Sequence, residues 1–269
     1  MAFEFNESWD EHWERGYTIF KGIVPGSLLT DLRIEADKAR ALAHEINGSQ
    51  SHRIQPIDKY DQQINQKPFQ DYCELPELHT AVEKLLGPDY THGHRNIMGI
   101  LVEPLDHTWN QGWHRDGMVE IPVAAQSDPE VIACQKERTQ DRRGYNQINC
   151  AIYRDATLWV VPGSHSRMEN LEGEIQTCYT DALPTIKDGQ SDVEFERECL
   201  AHCQSFPGAQ QIVLEPGDFM IYRSNAWHCA HIVKYQPRAT IHDSCHYHGK
   251  TDWQYHWPDV KKRVKAEYK

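Results

Sequence analysis

The segment Trp113-His114-Arg115-Asp116-Gly117 carries two side chains that could bind one metal ion. His114 and Asp116 are two residues apart, and on an extended segment residues with this spacing point to the same side. One more histidine would complete a set of two imidazoles and a carboxylate, which holds Fe(II) on one face and leaves the opposite positions open. His-X-Asp pairs also occur by chance in solvated loops, so this interpretation depends on the rest of the chain.

Length and charge restrict the class of protein. A chain of 269 residues can bury a sizeable core. Because β-sandwiches and barrels of this length often form one domain, we expect residues 1–269 to form a single domain. The formal net charge of −12 makes nucleic acid and anionic membrane surfaces poor partners. The apolar runs are shorter than a membrane span, and the start, Met1-Ala2-Phe3-Glu4, lacks a secretion signal. We therefore expect a cytoplasmic protein.

The chain offers other candidate ligands in its 16 histidines and 8 cysteines. His92 with His94, and His242, His246 and His248, have ligand-like spacing, but hydrogen-bonded or solvated histidines are the simpler interpretation. The cysteines include no Cys-X-X-Cys pair, and an intracellular chain of this length does not need disulfides to fold. We expect free thiols.

Helices are predicted in the first third of the chain, between about residues 25 and 90. A short strand over 16–24 precedes them. Apolar residues then recur at helical spacing from about Ser27 to Ile46, where Asn47-Gly48 ends the pattern. Residues 49–72 are polar and predict a loop. A second helix is predicted over Pro76 to Leu86, with proline in its first turn and Gly87-Pro88 after it.

After Gly93 the pattern changes to short β segments separated by turns, over about residues 93–250. Two long polar segments, 118–146 and 166–209, interrupt them. The sequence therefore predicts a mainly β fold with flanking helices. The predicted strands cover residues 97–102, 147–153, 157–161, 211–214 and 219–222.

The order of motifs along the chain resembles the phytanoyl-CoA dioxygenase family. The matching features are Gly16-Tyr17, His114-X-Asp116, Pro162-Gly163-Ser164-His165, Pro216-Gly217-Asp218, His228 and Arg238. They span nearly the whole chain, and only the insertions 118–146 and 166–209 fall outside the pattern. The resemblance implies a double-stranded β-helix, or jelly roll, that uses Fe(II), O2 and 2-oxoglutarate.

Position by position, the resemblance assigns His114, Asp116 and His228 to iron. Neutral imidazoles and a carboxylate suit Fe(II), whereas a structural zinc site favours a closed set of four ligands, often cysteines. His231 is a rival for the third ligand. His228 is preferred because it lies ten residues after Asp218 and ten before Arg238, close to the family's spacing.

The resemblance also places cosubstrate ligands. Arg238 would bind the distal carboxylate of 2-oxoglutarate, since a guanidinium offers a planar fork of donors. Asn149 and Met98 are expected to line the same pocket. The family often has Ser or Thr two residues after the distal histidine, whereas this chain has Ala230, which leaves Arg238 with less help or with a different partner.

Three functions are compatible with these residues. The first is an Fe(II)- and 2-oxoglutarate-dependent dioxygenase that hydroxylates or otherwise oxidises a small organic molecule. The second is a catalytically silent, cupin-like binding protein, against which the complete set of expected ligands argues. The third is a zinc-dependent jelly-roll hydrolase, for which no separate general base is evident. Related halogenating enzymes have a small residue at the position of Asp116. This chain has a carboxylate there, so we expect no halogenation.

The insertion 118–146 follows Asp116 directly and is predicted to be a lid, because long polar loops in compact domains are usually lids, binding loops or disordered. Its charges nearly balance, whereas a surface for a coenzyme A thioester is expected to be basic. The substrate is therefore expected to be a small, non-thioester molecule. The charged residues are Lys136, Arg138, Arg142 and Arg143 against Glu120, Asp128, Glu130, Glu137 and Asp141.

Overall fold

The computed structural model describes residues 9–141, 144, 146–247, 249 and 252–268. The helices are α1 (Trp9–Arg15), α2 (Gly26–Asn47), α3 (Lys67–Cys73), α4 (Pro76–Leu86), α5 (Pro129–Gln140), α6 (Asp192–Ser205) and α7 (Asp252–Glu267). The strands are β1 (Tyr17–Phe20), β2 (Arg53–Ile54), β3 (Tyr90–Thr91), β4 (Gly99–Val102), β5 (Trp109–His114), β6 (Asn146–Ala151), β7 (Leu158–Val160), β8 (Gln210–Gln211), β9 (Phe219–Arg223), β10 (His228–Ile232), β11 (Ala239–Ser244) and β12 (His246–Tyr247).

The strands form two antiparallel sheets and a separate pair. The larger sheet has the order β1-β9-β6-β11-β4-β2, and the smaller sheet has the order β5-β10-β7-β8. Strands β12 and β3 pair with each other. Neighbouring strands in the sheets are mostly distant in sequence, as in a jelly roll. The predicted class, mainly β with flanking helices in a double-stranded β-helix, is confirmed.

The larger sheet has one apolar side and one polar side. Ile100, Ile148, Ile221 and Ile241 lie on the apolar side and belong to the main hydrophobic core. Helices α2 and α4 contribute buried residues to the same core. Side chains alternate along each strand, so the intervening residues face the other side, where a cavity separates the larger sheet from the smaller one.

The two helices predicted near the start are confirmed. Helix α2 covers Gly26–Asn47, and the residues it buries recur at helical spacing: Leu29, Leu32, Ala36, Ala39 and Ala43. Burial of each leucine contributes about 1.5–3 kcal/mol. Gly48, which ends the helix, has a φ of +88°, a conformation that glycine adopts without a steric penalty. Helix α4 covers Pro76–Leu86, the predicted range.

The polar segments contain more structure than predicted. Residues 49–72, predicted as loop, hold β2, a short helix over Ile57–Tyr60 and most of α3. The insertion 118–146, also predicted as loop, contains α5. The Asp128 side chain caps α5 by accepting hydrogen bonds from the backbone of Glu130 and Val131. Arg263 of α7 forms an ion pair with the same carboxylate at 2.7 Å. Arg142, Arg143 and His248 lie outside the described residues.

The insertion 166–209 contains α6, which begins with a capping box formed by Ser191 and Glu194. Helix α7 at the other end of the chain was not predicted either. In the part of the chain that the structure describes, no helix is long and apolar enough to cross a bilayer.

Candidate metal centre

Two strands of the smaller sheet bring the three predicted iron ligands together. His228 on β10 lies directly opposite His114 on β5, so their side chains are neighbours on one side of the sheet. The Nε2 atoms of His114 and His228 lie 3.6 and 3.9 Å from Asp116 Oδ1. One ligand atom from each residue lies within 4.8 Å of the others. Among the described residues, this is the one group of three or more such side chains with metal-binding geometry.

The backbone fixes the orientation of both imidazoles. His114 Nδ1 hydrogen-bonds to Gly112 O at 2.9 Å, and His228 Nδ1 hydrogen-bonds to Ala226 O at 2.9 Å. A carbonyl oxygen only accepts, so each Nδ1 carries the proton and each Nε2 presents a lone pair toward Asp116. Such hydrogen bonds on the far side of the ring are typical of histidines that bind a metal.

A hydrogen-bonded pair of side chains orients the carboxylate. Gln147 Nε2 donates to Asp116 Oδ2 at 2.7 Å, and Tyr222 Oη donates to Gln147 Oε1 at 2.7 Å. Burial, followed by the charge of Asp116, raises the pKa of Tyr222, so its hydroxyl stays protonated and remains a donor. These two hydrogen bonds hold the Asp116 carboxylate so that its Oδ1 atom is directed at the two histidines.

The electrostatics of the site fit a metal ion. Burial, together with the neighbouring His228, lowers the pKa of His114 well below its usual value. His114 is therefore neutral, which is the form that binds a metal. Two neutral imidazoles and one carboxylate on one face form the donor set that suits Fe(II). The residues present fit that ion.

His231, the rival third ligand, lies elsewhere. His228, Ala230 and Ile232 of β10 line the cavity beside the metal ligands, whereas His231 lines a different depression next to α6. Alternation along the strand explains this separation, because residues three apart point to opposite sides. The structure brings His228, and not His231, to His114 and Asp116.

A cavity of about 530 Å3 surrounds the candidate ligands. Arg238 lines it and is only 5% exposed. Its Nε donates to Asp155 Oδ2 at 3.0 Å. Among the hydrogen bonds of the described residues, none joins a terminal nitrogen of Arg238 to a carboxylate. These nitrogens are the atoms that a bidentate carboxylate would use.

Asp155 holds Arg238 in place and was not predicted. Burial alone would raise the pKa of the Asp155 carboxyl, but Arg238 and the hydroxyl groups of Thr240 and Thr157 lower it overall. The Asp155 carboxylate therefore stays charged next to the guanidinium. Ala230 lines the cavity and contributes only a methyl group to it.

The other two predicted pocket residues have different positions. Asn149 lines the cavity, and its Oδ1 accepts a hydrogen bond from His242 Nδ1 at 2.8 Å. Met98 is outside the described cavity lining. Met98 has the same parity as Ile100 and Val102, so it faces the apolar core, while Leu101 of that strand faces the cavity.

The insertion 166–209 contributes a residue that sequence analysis missed. The Tyr179 ring stacks on His114 at 4.7 Å between centroids, and its hydroxyl accepts a hydrogen bond from Gln111 Nε2 at 3.0 Å. Tyr179 has a φ of +58°, which costs a bulky residue roughly 1–3 kcal/mol. Strain of this kind is concentrated at functional sites. No local sequence signal marks Tyr179, because its partners are distant in sequence.

Comparison with known proteins relates the fold to solved structures. Neither a protein-family model nor a curated protein matches the chain. The crystal structure of AviO1 from Streptomyces viridochromogenes matches with a TM-score of 0.57 at 12% identity, over 93% of this chain and 98% of that one. The structure of SnoN, a non-heme alpha-ketoglutarate-dependent epimerase from nogalamycin biosynthesis, matches with a TM-score of 0.54 at 15% identity, over 89% and 79% of the two chains.

Another SnoN structure, with the same TM-score, contains Fe3+, alpha-ketoglutarate and nogalamycin RO. At these identities the likeness shows that this chain has the same fold.

Proposed function

We propose that the protein is a non-haem, Fe(II)- and 2-oxoglutarate-dependent dioxygenase that hydroxylates or otherwise oxidises a small organic molecule. The observation that carries the proposal is the set of His114, Asp116 and His228, with ligand atoms within 4.8 Å of one another, in one cavity with Arg238. The fold shared with SnoN, an alpha-ketoglutarate-dependent enzyme, supports it. Bound iron and 2-oxoglutarate would supply O2-dependent oxidation of the substrate, with release of succinate and CO2.

The residues of this chain would have separate tasks in that reaction. His114, Asp116 and His228 hold the ion, and the Gln147 amide keeps the carboxylate aimed at it. Arg238 binds the distal carboxylate of 2-oxoglutarate with its terminal nitrogens, because Asp155 occupies its Nε. This division resembles the phytanoyl-CoA dioxygenase family, to which we propose that the chain is related.

Tyr179 covers one side of His114 and, together with the insertion 118–146, limits the access of water to the centre. We propose that the insertion 118–146 closes over the bound substrate. Residues Val119, Glu120 and Arg138 of that insertion line the cavity. Because the charges of the insertion nearly balance, the proposed substrate is a free small molecule and not a coenzyme A thioester.

The two alternative functions have less support. A silent binding protein has no need of the complete ligand set or of an oriented Arg238. A zinc-dependent hydrolase would need a general base near the metal-bound water. Within the described cavity lining, the carboxylates are Asp116, which is a candidate ligand, and Glu120, which forms an ion pair with Lys261.

Anaerobic titration with Fe(II), followed by an assay for succinate from 2-oxoglutarate in air, tests the proposal. We expect one Fe(II) per chain, and we expect loss of both binding and succinate in His114→Ala, Asp116→Ala and His228→Ala. His231→Ala is the matched control, since it removes a histidine from the same strand on the side away from the candidate ligands. Full turnover in His228→Ala, or turnover with zinc alone, would contradict the proposal.

A further inference from the structure

The rim of the cavity carries a second arginine, Arg53, on strand β2 at the edge of the larger sheet. Arg53 lies opposite Leu101 of β4, and the next residue, Ile54, lies opposite Ile100. Leu101 and Arg53 both line the cavity, whereas Ile54 and Ile100 belong to the core. The register therefore directs the Arg53 side chain into the space that the metal ligands share.

Arg53 has no carboxylate partner among the described residues. Its Nη1 donates to the neutral amide of Gln55 at 3.3 Å. Two other charged residues of the lining have ion-pair partners: Arg238 pairs with Asp155, and Glu120 pairs with Lys261. A guanidinium at the rim of a cavity that has no carboxylate in ion-pair contact can bind an anion.

The cavity is cationic although the whole chain has a net charge of −12. Its described lining contains three arginines, Arg53, Arg138 and Arg238, and two carboxylates. Burial, assisted by Arg53 and Arg238, lowers the pKa of His52 to about 4 and that of His242 to about 3. Because the chain as a whole is acidic, the positive charge of the lining is a local feature of the cavity. It favours a negatively charged ligand.

We propose that Arg53 binds a carboxylate of the primary substrate, so that the enzyme acts on small organic acids. This inference rests on the proposed function, in which Arg238 already serves 2-oxoglutarate. The two arginines suit different ligands. Arg238 is buried and held by Asp155, which suits a cosubstrate that is always the same molecule. Arg53 is exposed at the rim, where substrates of different shape would enter.

An apolar surface lies next to Arg53. The His52 ring stacks on Trp109 with 4.0 Å between centroids, and Trp109, Leu101 and Ile232 line the same cavity. A carboxylate on Arg53 would place the hydrocarbon part of an acid against these side chains, and the burial of that part adds affinity.

Ligand-observed NMR on protein loaded with Zn(II) and saturating 2-oxoglutarate tests the assignment without turnover. The probes are two matched pairs, benzoate with benzamide and hexanoate with hexanamide, which differ only in the charge of the head group. We expect the wild-type protein to bind each acid about tenfold more tightly than its amide. Arg53→Gln should abolish this preference, and Arg53→Lys should keep part of it.

Arg197→Gln is the matched control, because it removes the same charge from an exposed position on α6, outside the described cavity lining. It should keep the preference for acids. Equal binding of acid and amide by the wild-type protein, or an unchanged preference in Arg53→Gln, would overturn the proposal.

Calorimetric titration of 2-oxoglutarate distinguishes the failure of this inference from failure of the proposed function. We expect Arg53→Gln to keep the affinity for 2-oxoglutarate and Arg238→Gln to lose it. The reverse result would assign Arg53 to the cosubstrate and overturn the substrate inference, while the dioxygenase class would stand. Absence of metal-dependent 2-oxoglutarate binding in the wild-type protein would instead overturn the proposed function.

Discussion

The pairing of Arg238 with Asp155 predicts that Arg238, the proposed cosubstrate ligand, also stabilises the fold. The two side chains are 6% and 5% exposed and lie 3.0 Å apart. Removal of one partner of a buried ion pair leaves an uncompensated charge and typically costs about 3–5 kcal/mol. Arg238→Gln should therefore lower the free energy of unfolding by about this amount, a large part of the ~5–15 kcal/mol that is usual for a folded domain.

The loss should depend on pH with a definite sign. In the wild-type protein the pKa of Asp155 is lower in the folded chain than in the unfolded chain, where it is about 3.9. The stability that this difference contributes is fully present above the unfolded pKa and is lost as the pH falls through the folded pKa. Burial raises the pKa of the Asp155 carboxyl, and in Arg238→Gln no arginine charge offsets that effect. The pKa of Asp155 is therefore higher in the variant. The melting temperatures of the two proteins should differ most at pH 7 and converge toward pH 4.

Thermal unfolding of a double-mutant cycle measures the effect. For chains of about this size 1 kcal/mol corresponds to roughly 2–4 °C, so Arg238→Gln should melt roughly 6–20 °C below the wild-type protein at pH 7. Asp155→Asn in the same chain removes the stranded charge and should recover part of the loss, with a coupling energy of about 0.5–3 kcal/mol. Additive effects of the two substitutions, or a melting difference that does not vary with pH, would refute the reasoning.

Further predictions concern the metal ligands and the insertion 118–146. Gln147→Leu should weaken Fe(II) binding about 10–100-fold in an anaerobic titration, because it removes the donor that orients Asp116, and Tyr222→Phe should have a smaller effect; equal affinities would count against this network. Because Asp116 occupies the position that halogenating enzymes leave open, mass spectrometry of products formed in chloride buffer should find no chlorinated species, and one such product would disprove this role of Asp116. Trypsin cleavage within residues 136–143 should slow when Fe(II), 2-oxoglutarate and a substrate are added, and unchanged cleavage would remove the lid from the mechanism.

The three candidate metal ligands could be brought together from the sequence because part of their signal is local. His114 and Asp116 are two residues apart, and the resemblance to the phytanoyl-CoA dioxygenase family favoured His228 over His231 through its spacing to Asp218 and Arg238. Helices α2 and α4 were predictable for a similar reason, since their buried residues are apolar and recur at helical spacing.

The helices of the insertions lack that signal. The buried residues of α5 are Val131, Cys134, Gln135 and Thr139, of which two are polar, and α6 buries only Phe195, Cys199 and Cys203. Such faces give little hydrophobic periodicity. The capping signals, Asp128 before α5 and Ser191 with Glu194 before α6, were present in the sequence and indicate both starting points.

Residues that support the site were hard to predict because they depend on register. Asp155 reaches Arg238 across 83 positions of the chain. Met98 was assigned to the pocket from its strand, but the side of the sheet that a residue faces depends on parity, and a shift of one residue exchanges the two sides. By the same alternation along the strand, Gln147 and Asn149 of β6 face the cavity and not the apolar core.

The insertion 166–209 has two structural roles at the candidate metal centre that reinforce each other. Strand β5 is an edge strand of the smaller sheet, and an exposed edge offers unpaired backbone groups to other chains. The insertion satisfies both backbone groups of Trp113: Trp113 N donates to Asp181 Oδ2 at 3.1 Å, and Tyr179 N donates to Trp113 O at 3.0 Å. The contacts that protect this edge also place the Tyr179 ring on His114. Protection of the edge at Trp113 and shielding of the candidate ligand His114 therefore depend on the same short segment. This accounts for a strained tyrosine backbone at a position that no local motif requires.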